Sequence, residues 1–544
     1  MSFNLKNCRS FIKYLLSILI ILLPVQTPIG QFLVYNLKLS GILLLWKEVI
    51  VLLIFIIFLV YFYKLLISRK DLDGEKTIWK TFIKSDIAPL IWPLLVFIGL
   101  FLWGLFTSIF INKLPFSIFL LGGRFELWWL GLLAVLCSLN NLMKRYDKDN
   151  LKIIQLKLLS SFYIGFGILS IFTVFTLIFN QSSVLKFLGY STLSNSEVSP
   201  QLCHSIDAGI NVCRLSGGFS SPNHFAGYLL IFLPFVIFQL IDKLSILFSK
   251  RKDILKEITT GAKIKEKLAV KWVNRLIYFT IILNFILFFL IKSNSRYSWF
   301  GIVAFLSFGI LVIIYKRLFW TRNFKFKKII INSLATLFIF LAVAPAFFIF
   351  FLTANSKESA SSLNLPTFIS KPSSSDFHTR RTQATLKILQ SNGPQFFLGY
   401  GIGASGPVGK LSYYNIKDYP LFKNNEYIAY QNGLVGEDLL IPENWYLQLI
   451  LNGGIFYAII YIILIGFIPA KNMTALLGDI FRKNDLKNNQ IYNGCLSIAI
   501  FSIMIGNLFL HIWESQSVSI LFAILFFMYK ETGNQKDDLL KTEN

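Results

Sequence analysis

Long apolar runs separated by short polar segments recur along most of the chain. Runs of about 20 apolar residues have the length that a helix needs to cross the hydrocarbon layer of a bilayer. The pattern predicts an all-α polytopic membrane protein with about twelve transmembrane helices and a large extracytoplasmic loop before span ten. The predicted spans cover residues 14–30, 46–64, 88–109, 117–138, 157–179, 225–241, 276–292, 298–315, 329–352, 446–469, 490–510 and 516–530.

The composition supports this class and excludes others. Of the 544 residues, 55% are hydrophobic and only 15% are charged, and the mean hydropathy is +0.62. These values are too apolar for a water-soluble globular fold or a disordered chain. Because apolar runs are distributed over the whole length, a single anchor attached to a soluble domain is also excluded.

The basic residues that give the net charge of +25 are concentrated in segments on one predicted side of the membrane. Basic residues mark cytoplasmic loops, so the charge predicts a protein of the cytoplasmic (inner) membrane with both termini in the cytoplasm. Without aromatic and basic residues interleaved, nucleic acid is not a predicted partner. Most of the 53 lysine and arginine residues fall in residues 1–13, 64–84, 140–157, 242–275, 316–328, 471–487 and 530–541.

Two predicted outer loops are unusually long, at residues 180–224 and 353–444. Loops longer than about 15 residues usually carry a function or are disordered. The second loop contains a predicted helix at residues 379–390, followed by a glycine-rich stretch at residues 399–403. That stretch lacks the Lys-Ser/Thr of a nucleotide-binding loop, so we expect a tight turn packed on the membrane surface.

Cys203 and Cys213 are the two cysteines in a predicted outer loop, where the environment is oxidising. We therefore predict a disulfide between them. Closing so short a loop is worth roughly 2–3 kcal/mol in the chain-entropy model. The alternative is two unpaired thiols. A metal site is less favoured, because a closed zinc site needs four ligands and His204 is the nearby imidazole.

Four arginines lie near the predicted outer membrane surface. Arg214 precedes span six, Arg296 lies in the short connection between spans seven and eight, and Arg380 and Arg381 open the predicted loop helix. A guanidinium donates two parallel hydrogen bonds to phosphate oxygens and keeps its charge, so the set predicts a site for a lipid-linked diphosphate. For each arginine alone, snorkelling or a local ion pair is the alternative.

Glu443 lies where the long outer loop re-enters the membrane as span ten. A carboxylate at this place is either a general base for an acceptor hydroxyl or simply a favourable charge at a helix N-terminus. Other acids of the outer loop compete for the role of base: Asp376, Glu437 and Asp438.

Several short motifs together resemble the O-antigen ligase and O-antigen polymerase superfamily. The motifs span about residues 212–470 and keep the order expected of the family. They are Arg214-Leu-Ser-Gly with Pro222-Asn223, Ser295-Arg296, Arg381 with Gly399-Tyr-Gly401, and Asn444 with Tyr446-Leu447 and Gly453-Gly454. The resemblance divides the chain into N-terminal spans and the first outer loop (1–211), a ligase-like core (212–470), and the last two spans with a cytoplasmic tail (471–544).

The resemblance implies an inverting glycosyltransferase that needs no metal or other cofactor. Its donor would be a glycan on undecaprenyl diphosphate and its acceptor a glycan or lipid hydroxyl at the extracytoplasmic face. Arg214, Arg296 and Arg381, with Arg380 beside it, match diphosphate-binding positions, and Asn223 and Asn444 match substrate-binding positions. In ligases of the family, the position just before the one that matches Asn444 looks like a His that acts as the base. This chain has Glu443 at that position. Ligase and polymerase therefore both stay open.

A flippase for lipid-linked oligosaccharide is the alternative function. Such a protein should carry ionisable residues along an aqueous path through its spans. Here they are few: Lys47 and Glu48 at the start of span two, and Arg124 with Glu126 in span four, which we interpret as a pair. A long loop on one face also favours chemistry at that face over alternating access.

Overall fold

A computed structural model describes most of the chain, with gaps. The described residues are 5–73, 87–178, 204–207, 210–212, 215–219, 221–259, 263–293, 295, 301–305, 307–309, 311–312, 372–391, 393–406, 408, 442, 444–482, 486–508 and 515–531. The helices are α1 (Leu5–Leu22), α2 (Gln26–Gln31), α3 (Trp46–Asp73), α4 (Ile87–Leu90), α5 (Trp92–Leu105), α6 (Phe116–Glu126), α7 (Trp128–Tyr146), α8 (Lys148–Ile178), α9 (Pro222–Thr259), α10 (Lys263–Ser293), α11 (Pro372–Ser391), α12 (Gly393–Leu398), α13 (Trp445–Phe481), α14 (Asn488–Gly506) and α15 (Gln516–Phe527). The strands are β1 (His204–Asp207) and β2 (Ile210–Val212).

The described helices confirm a multi-pass membrane protein. Seven are long and apolar enough to cross a bilayer, and an eighth span is formed if α6 and α7, which meet at a bend of 50°, are counted as one. Predicted span 329–352 lies outside the described residues, as does part of 298–315. The count of twelve therefore stays a prediction. The described part also contains one antiparallel β-hairpin, which an entirely helical prediction missed.

The centre of the bundle is formed by helices that are buried on all sides. The span within α9 is 83% buried, and every residue of α15 except its first is buried. The span that begins with α5 is only 22% buried and exposes large apolar side chains such as Leu95 and Leu102. In a bilayer these apolar faces contact lipid, so the sequence is hydrophobic around the whole helix.

The end of α15 shows how polar side chains complete the bundle. The last carbonyls of a helix have no partner within it, and lipid cannot supply one. Asn140 of α7 donates to the carbonyl of Phe526 at 3.1 Å, and Gln155 of α8 donates to that of Phe527 at 2.9 Å. Asn493 of α14 donates to the carbonyl of Lys530 at 2.8 Å. Three amide side chains thus join three helices to the end of α15.

Helix α13 is broken at Gly454, which has φ 83° and ψ 172°. A left-handed φ of this kind strongly favours glycine, and a Cβ at this position would collide with the backbone carbonyl of Phe397. The break removes the helical partners of nearby carbonyls, so these become available to groups outside the helix.

We expect Gly454→Ala to destabilise the protein strongly. The added Cβ strains the backbone and pushes against Phe397, with a cost on the order of 2 kcal/mol or more. Thermal unfolding of the detergent-purified protein measures this. The matched control is Gly466→Ala in the same helix, where an added Cβ meets only the side chain of Met504 at 3.8 Å. Equal midpoints for the two variants would contradict the strain at Gly454.

Candidate functional site

Residues 215–219 form a buried turn directly before α9. The turn is closed by the amide of Phe219, which donates to the carbonyl of Ser216 at 3.0 Å. Gly217 has φ 54°, and a Cβ on Gly218 would lie 2.5 Å from the carbonyl oxygen of Pro24. The two glycines therefore let the turn pack closely between α9 and the break that follows α1.

This turn is hydrogen-bonded to the end of α10. The amide of Leu215 donates to the carbonyl of Lys292 at 2.9 Å. The hydroxyl of Ser295 donates to the Oδ1 of Asn223, near the start of α9, at 3.0 Å. The structure thus joins two of the motif segments, the one that follows Arg214 and the one that precedes Arg296.

The structure describes four of the predicted site residues: Asn223, Arg380, Arg381 and Asn444. Outside the described residues lie Cys203, Cys213, Arg214, Arg296, Glu443 and two of the competing acids, Glu437 and Asp438. The assignments of these residues stay predictions.

Arg380 and Arg381 lie in the middle of α11, not at its start as predicted. The helix begins at Pro372, because proline is favoured in the first helical turn and the polar residues after it continue the helix. The two arginines are therefore too far from the helix N-terminus for its dipole to act on them directly. Arg380 is exposed, whereas Arg381 is half-buried and one turn before the buried Thr385 on the packed face.

The start of α13 is fixed by contacts with the end of α14. Asn444 is the N-cap residue, and its side-chain oxygen accepts from the amide of Leu447 at 3.2 Å. The amide of Trp445 donates to the carbonyl of Asn507 at 3.0 Å, and the hydroxyl of Tyr446 donates to that of Met504 at 2.7 Å. The observed role of Asn444 is thus to cap a rigidly held helix end.

The glycine-rich stretch 399–403 forms a turn, but it is buried between helices and does not lie on a membrane surface as predicted. The carbonyls exposed by the break in α13 hold it there. Tyr400 and Gly401 donate their amides to the carbonyls of Leu451 and Asn452 at 2.6 and 2.9 Å. The indole of Trp103 donates to the carbonyl of Gly453 at 2.9 Å. The loop thus replaces the missing helical hydrogen bonds.

The segment between α5 and α6, together with α6 itself, holds the other side of this turn. The amide of Ile402 donates to the hydroxyl of Ser108 at 2.7 Å, and Asn112 donates to the carbonyl of Gly399 at 3.1 Å. Gly122 of α6 and Gly403 approach so closely that a Cβ on Gly122 would collide with the backbone of Gly403. Glycine at these positions permits the backbone contact.

Glu126 is a buried carboxylate at the end of α6 and is only 3% exposed. Its Oε1 accepts from the side-chain amide of Gln448 at 3.0 Å and from that of Asn452. Its backbone carbonyl accepts from the hydroxyl of Tyr461 at 2.6 Å. One residue at the bend between α6 and α7 therefore contacts three positions along α13.

The sequence analysis missed this cluster, although a signal was present. Asn444, Gln448 and Asn452 recur every four residues in an otherwise apolar span, which places them on one face of α13. Polar residues inside a span usually face a protein partner rather than lipid. That spacing predicts a polar partner, and the partner is Glu126.

The predicted pairing of Arg124 with Glu126 is wrong. Arg124 instead binds Glu48 of α3, with Nε and Nη2 at 2.9 and 2.6 Å from the same carboxylate oxygen. The side chain of a residue at the end of a helix points away from that of the residue two positions later, so Arg124 and Glu126 face different neighbours. Lys47, beside Glu48, is buried.

A metal site is not evident in the described part of the chain. Its His, Cys, Asp and Glu side chains do not form a group of three or more that could hold a metal ion.

These features define a polytopic membrane protein with a buried turn before α9 and a glycine-rich turn inserted at the break in α13. Residues 281–462 match the family model described as O-Antigen ligase. The match supports membership of the O-antigen ligase and polymerase superfamily, and it confirms the resemblance seen in the motifs. Members of this family are glycosyltransferase-like ligases and polymerases, so the match indicates a function of that type. A search of curated proteins finds no match.

The described hairpin lies between the two cysteines of the predicted disulfide. His204 pairs with Val212 in an antiparallel register, and Cys203 and Cys213 are the next residues outward in the sequence. Both cysteines lie outside the described residues, so the disulfide stays a prediction. We expect a disulfide-linked peptide containing both cysteines when the unreduced protein is digested and analysed by mass spectrometry. Alkylation of both thiols without prior reduction would contradict the prediction.

Proposed function

We propose that this protein transfers a glycan from an undecaprenyl-diphosphate carrier to an acceptor hydroxyl at the outer face of the cytoplasmic membrane, as a ligase or polymerase of surface polysaccharide. One observation carries the proposal beyond the family match. The motif segments around Arg214 and Arg296 are joined by hydrogen bonds from Leu215 to Lys292 and from Ser295 to Asn223.

The arginines are assigned to the diphosphate. A diphosphate attached to a lipid tail lies at the membrane surface, where fixed guanidinium groups bind it with charge-assisted hydrogen bonds. In the proposal, Arg214 and Arg296 hold the two phosphates. Arg381 assists from the packed face of α11, whereas the exposed Arg380 contributes mainly to the local positive charge.

The proposed reaction is a direct displacement. The acceptor hydroxyl attacks the anomeric carbon of the donor sugar from the side opposite the diphosphate, and a new glycosidic bond forms. The bond between that carbon and the diphosphate oxygen breaks, so undecaprenyl diphosphate leaves with the electron pair. The proton of the hydroxyl passes to the carboxylate of Glu443. The configuration at the carbon is inverted, and the arginines stabilise the charge on the leaving group.

The two asparagines are assigned mainly to shaping the site. Asn223 accepts from Ser295, and Asn444 caps α13 next to Glu443. These hydrogen bonds support a rigid placement of both segments, as a precise reaction geometry requires. Contact of either amide with sugar hydroxyls is a further part of the proposal.

Substitution of the arginines and of Glu443 tests the proposal. We expect Arg214→Ala, Arg296→Ala and Glu443→Gln each to lower glycan transfer at least 100-fold, because each removes a diphosphate ligand or the proton acceptor. Purified protein is incubated with a defined undecaprenyl-diphosphate oligosaccharide, and longer or transferred glycans are measured by mass spectrometry. The control is Arg482→Ala, which removes an exposed arginine at the end of α13.

Two further measurements sharpen this test. Arg296→Lys keeps the charge but loses the planar fork, so we expect it to recover only a small part of the transfer. Translocation of the intact donor across vesicles, without any new glycosidic bond, would favour the flippase instead. Wild-type transfer rates in all three site variants would contradict the residue assignments.

A further inference from the structure

We propose that Glu126 is a positioning residue that fixes the outer-loop turn and the start of α13 relative to each other. It does so as a hydrogen-bond acceptor and not through its charge. The inference rests on the proposed function in one respect: α13 begins directly after Glu443, the proposed proton acceptor.

Glu126 fixes the position of α13 through three hydrogen bonds. Gln448 and Asn452 lie one turn apart on α13, between its start and its break at Gly454. Both donate to the same oxygen of Glu126, and Tyr461 beyond the break donates to its backbone carbonyl. Glu126 therefore contacts both halves of the broken helix, and sets the angle at which the first half meets the rest of the bundle.

Asn452 is hydrogen-bonded both to Glu126 and to Ser405 of the loop, and this relay of hydrogen bonds connects the two. An amide side chain has one acceptor and one donor end. Glu126 accepts from the donor end of Asn452, so its Oδ1 faces the loop, where it accepts from the amide of Ser405 at 3.0 Å and from the hydroxyl of Ser405 at 2.8 Å. The Nδ2 of Asn452 also donates to the carbonyl of Ser405 at 3.4 Å. Without the acceptor at position 126, Asn452 keeps its contacts with Ser405 but loses its hydrogen bond to α6, so the loop is no longer linked to Glu126 through Asn452.

These hydrogen bonds require an acceptor at position 126, but they do not require a negative charge. Glu126 uses one carboxylate oxygen for both donors, while Oε2 has no hydrogen-bond partner among the described residues. The Oε1 of Gln448 is likewise buried without a described partner. The cluster therefore has more acceptors than donors. A glutamine at position 126 keeps the accepting oxygen and adds an NH₂ donor, whereas alanine removes the acceptor.

The test uses a cysteine probe that does not depend on catalysis. Val408 lies three residues beyond Ser405 and is buried. Val408→Cys is prepared with Cys203 and Cys213 replaced by serine, and labelling by a maleimide is timed in detergent-purified protein. We expect Glu126→Ala to accelerate labelling at least tenfold. Glu126→Gln should stay within about twofold of the parent.

The control is the carboxylate of Glu48, whose side chain is 14% exposed. Glu48→Ala removes the ion pair with Arg124. Because the Glu48 side chain has no described contact with the loop, we expect this variant to be labelled at a rate close to that of the parent. If Glu126→Ala does not fold, Asn452→Ala replaces it, because it breaks the same relay and should also accelerate labelling. Slow labelling in the variants that break the relay would overturn the proposal. So would fast labelling in Glu126→Gln, since charge would then be required.

Kinetic measurements test whether the position of the α13 start affects the reaction. In the transfer assay, we expect Glu126→Ala to lower the turnover number at least tenfold and to change the apparent KM for the donor less than twofold, with recovery in Glu126→Gln. Displacing the α13 start moves the proton acceptor, while the proposed diphosphate ligands lie on other segments. Absence of transfer by the wild-type protein would defeat the proposed function, and the labelling result would still decide the role of Glu126.

Discussion

The requirement that every buried backbone polar group has a partner controls this structure. Lipid offers no hydrogen bonds, so a helix broken inside the bundle must find replacements in the protein itself. The break at Gly454 exposes carbonyls, and the turn at Tyr400 and Gly401 satisfies them. A loop that would otherwise be solvent-exposed is thereby built into the bundle against the first half of α13.

Two separate parts of the chain contribute to the packing around α10 and α13. The family match covers residues 281–462, and therefore the end of α10, helices α11 and α12 and the first half of α13. Leu215, which binds the end of α10, and Glu126, which binds α13, both lie before the matched region. The matched region thus has hydrogen-bonded partners outside it. Glu126 also lies outside the motifs, so changes at Glu126 should affect α13 without altering a motif residue.

The sequence predicted the features that depend on hydropathy and missed those that depend on partners. Spans such as α3 and α8 were predicted because their apolar runs are long and uninterrupted. The start of α11 was placed too late, since its polar first turns carry no apolar periodicity. The partner of Arg124 follows from how distant helices pack, which no local pattern records. The polar spacing on α13 indicates a partner for Gln448 and Asn452 but does not identify it as Glu126. Of the predicted site, the joining of the α9 and α10 segments is supported, and the arginines themselves stay predictions.

The central claim is that the segments before α9 and after α10 bind a lipid-linked diphosphate close to the start of α13. Photo-crosslinking tests it most directly, with an undecaprenyl diphosphate that carries a photoreactive group on its terminal phosphate and mapping of the labelled peptides by mass spectrometry. The account predicts labels within residues 212–224, 292–298 and 441–448, reduced by competing undecaprenyl diphosphate. Competable labels confined to other segments would contradict it.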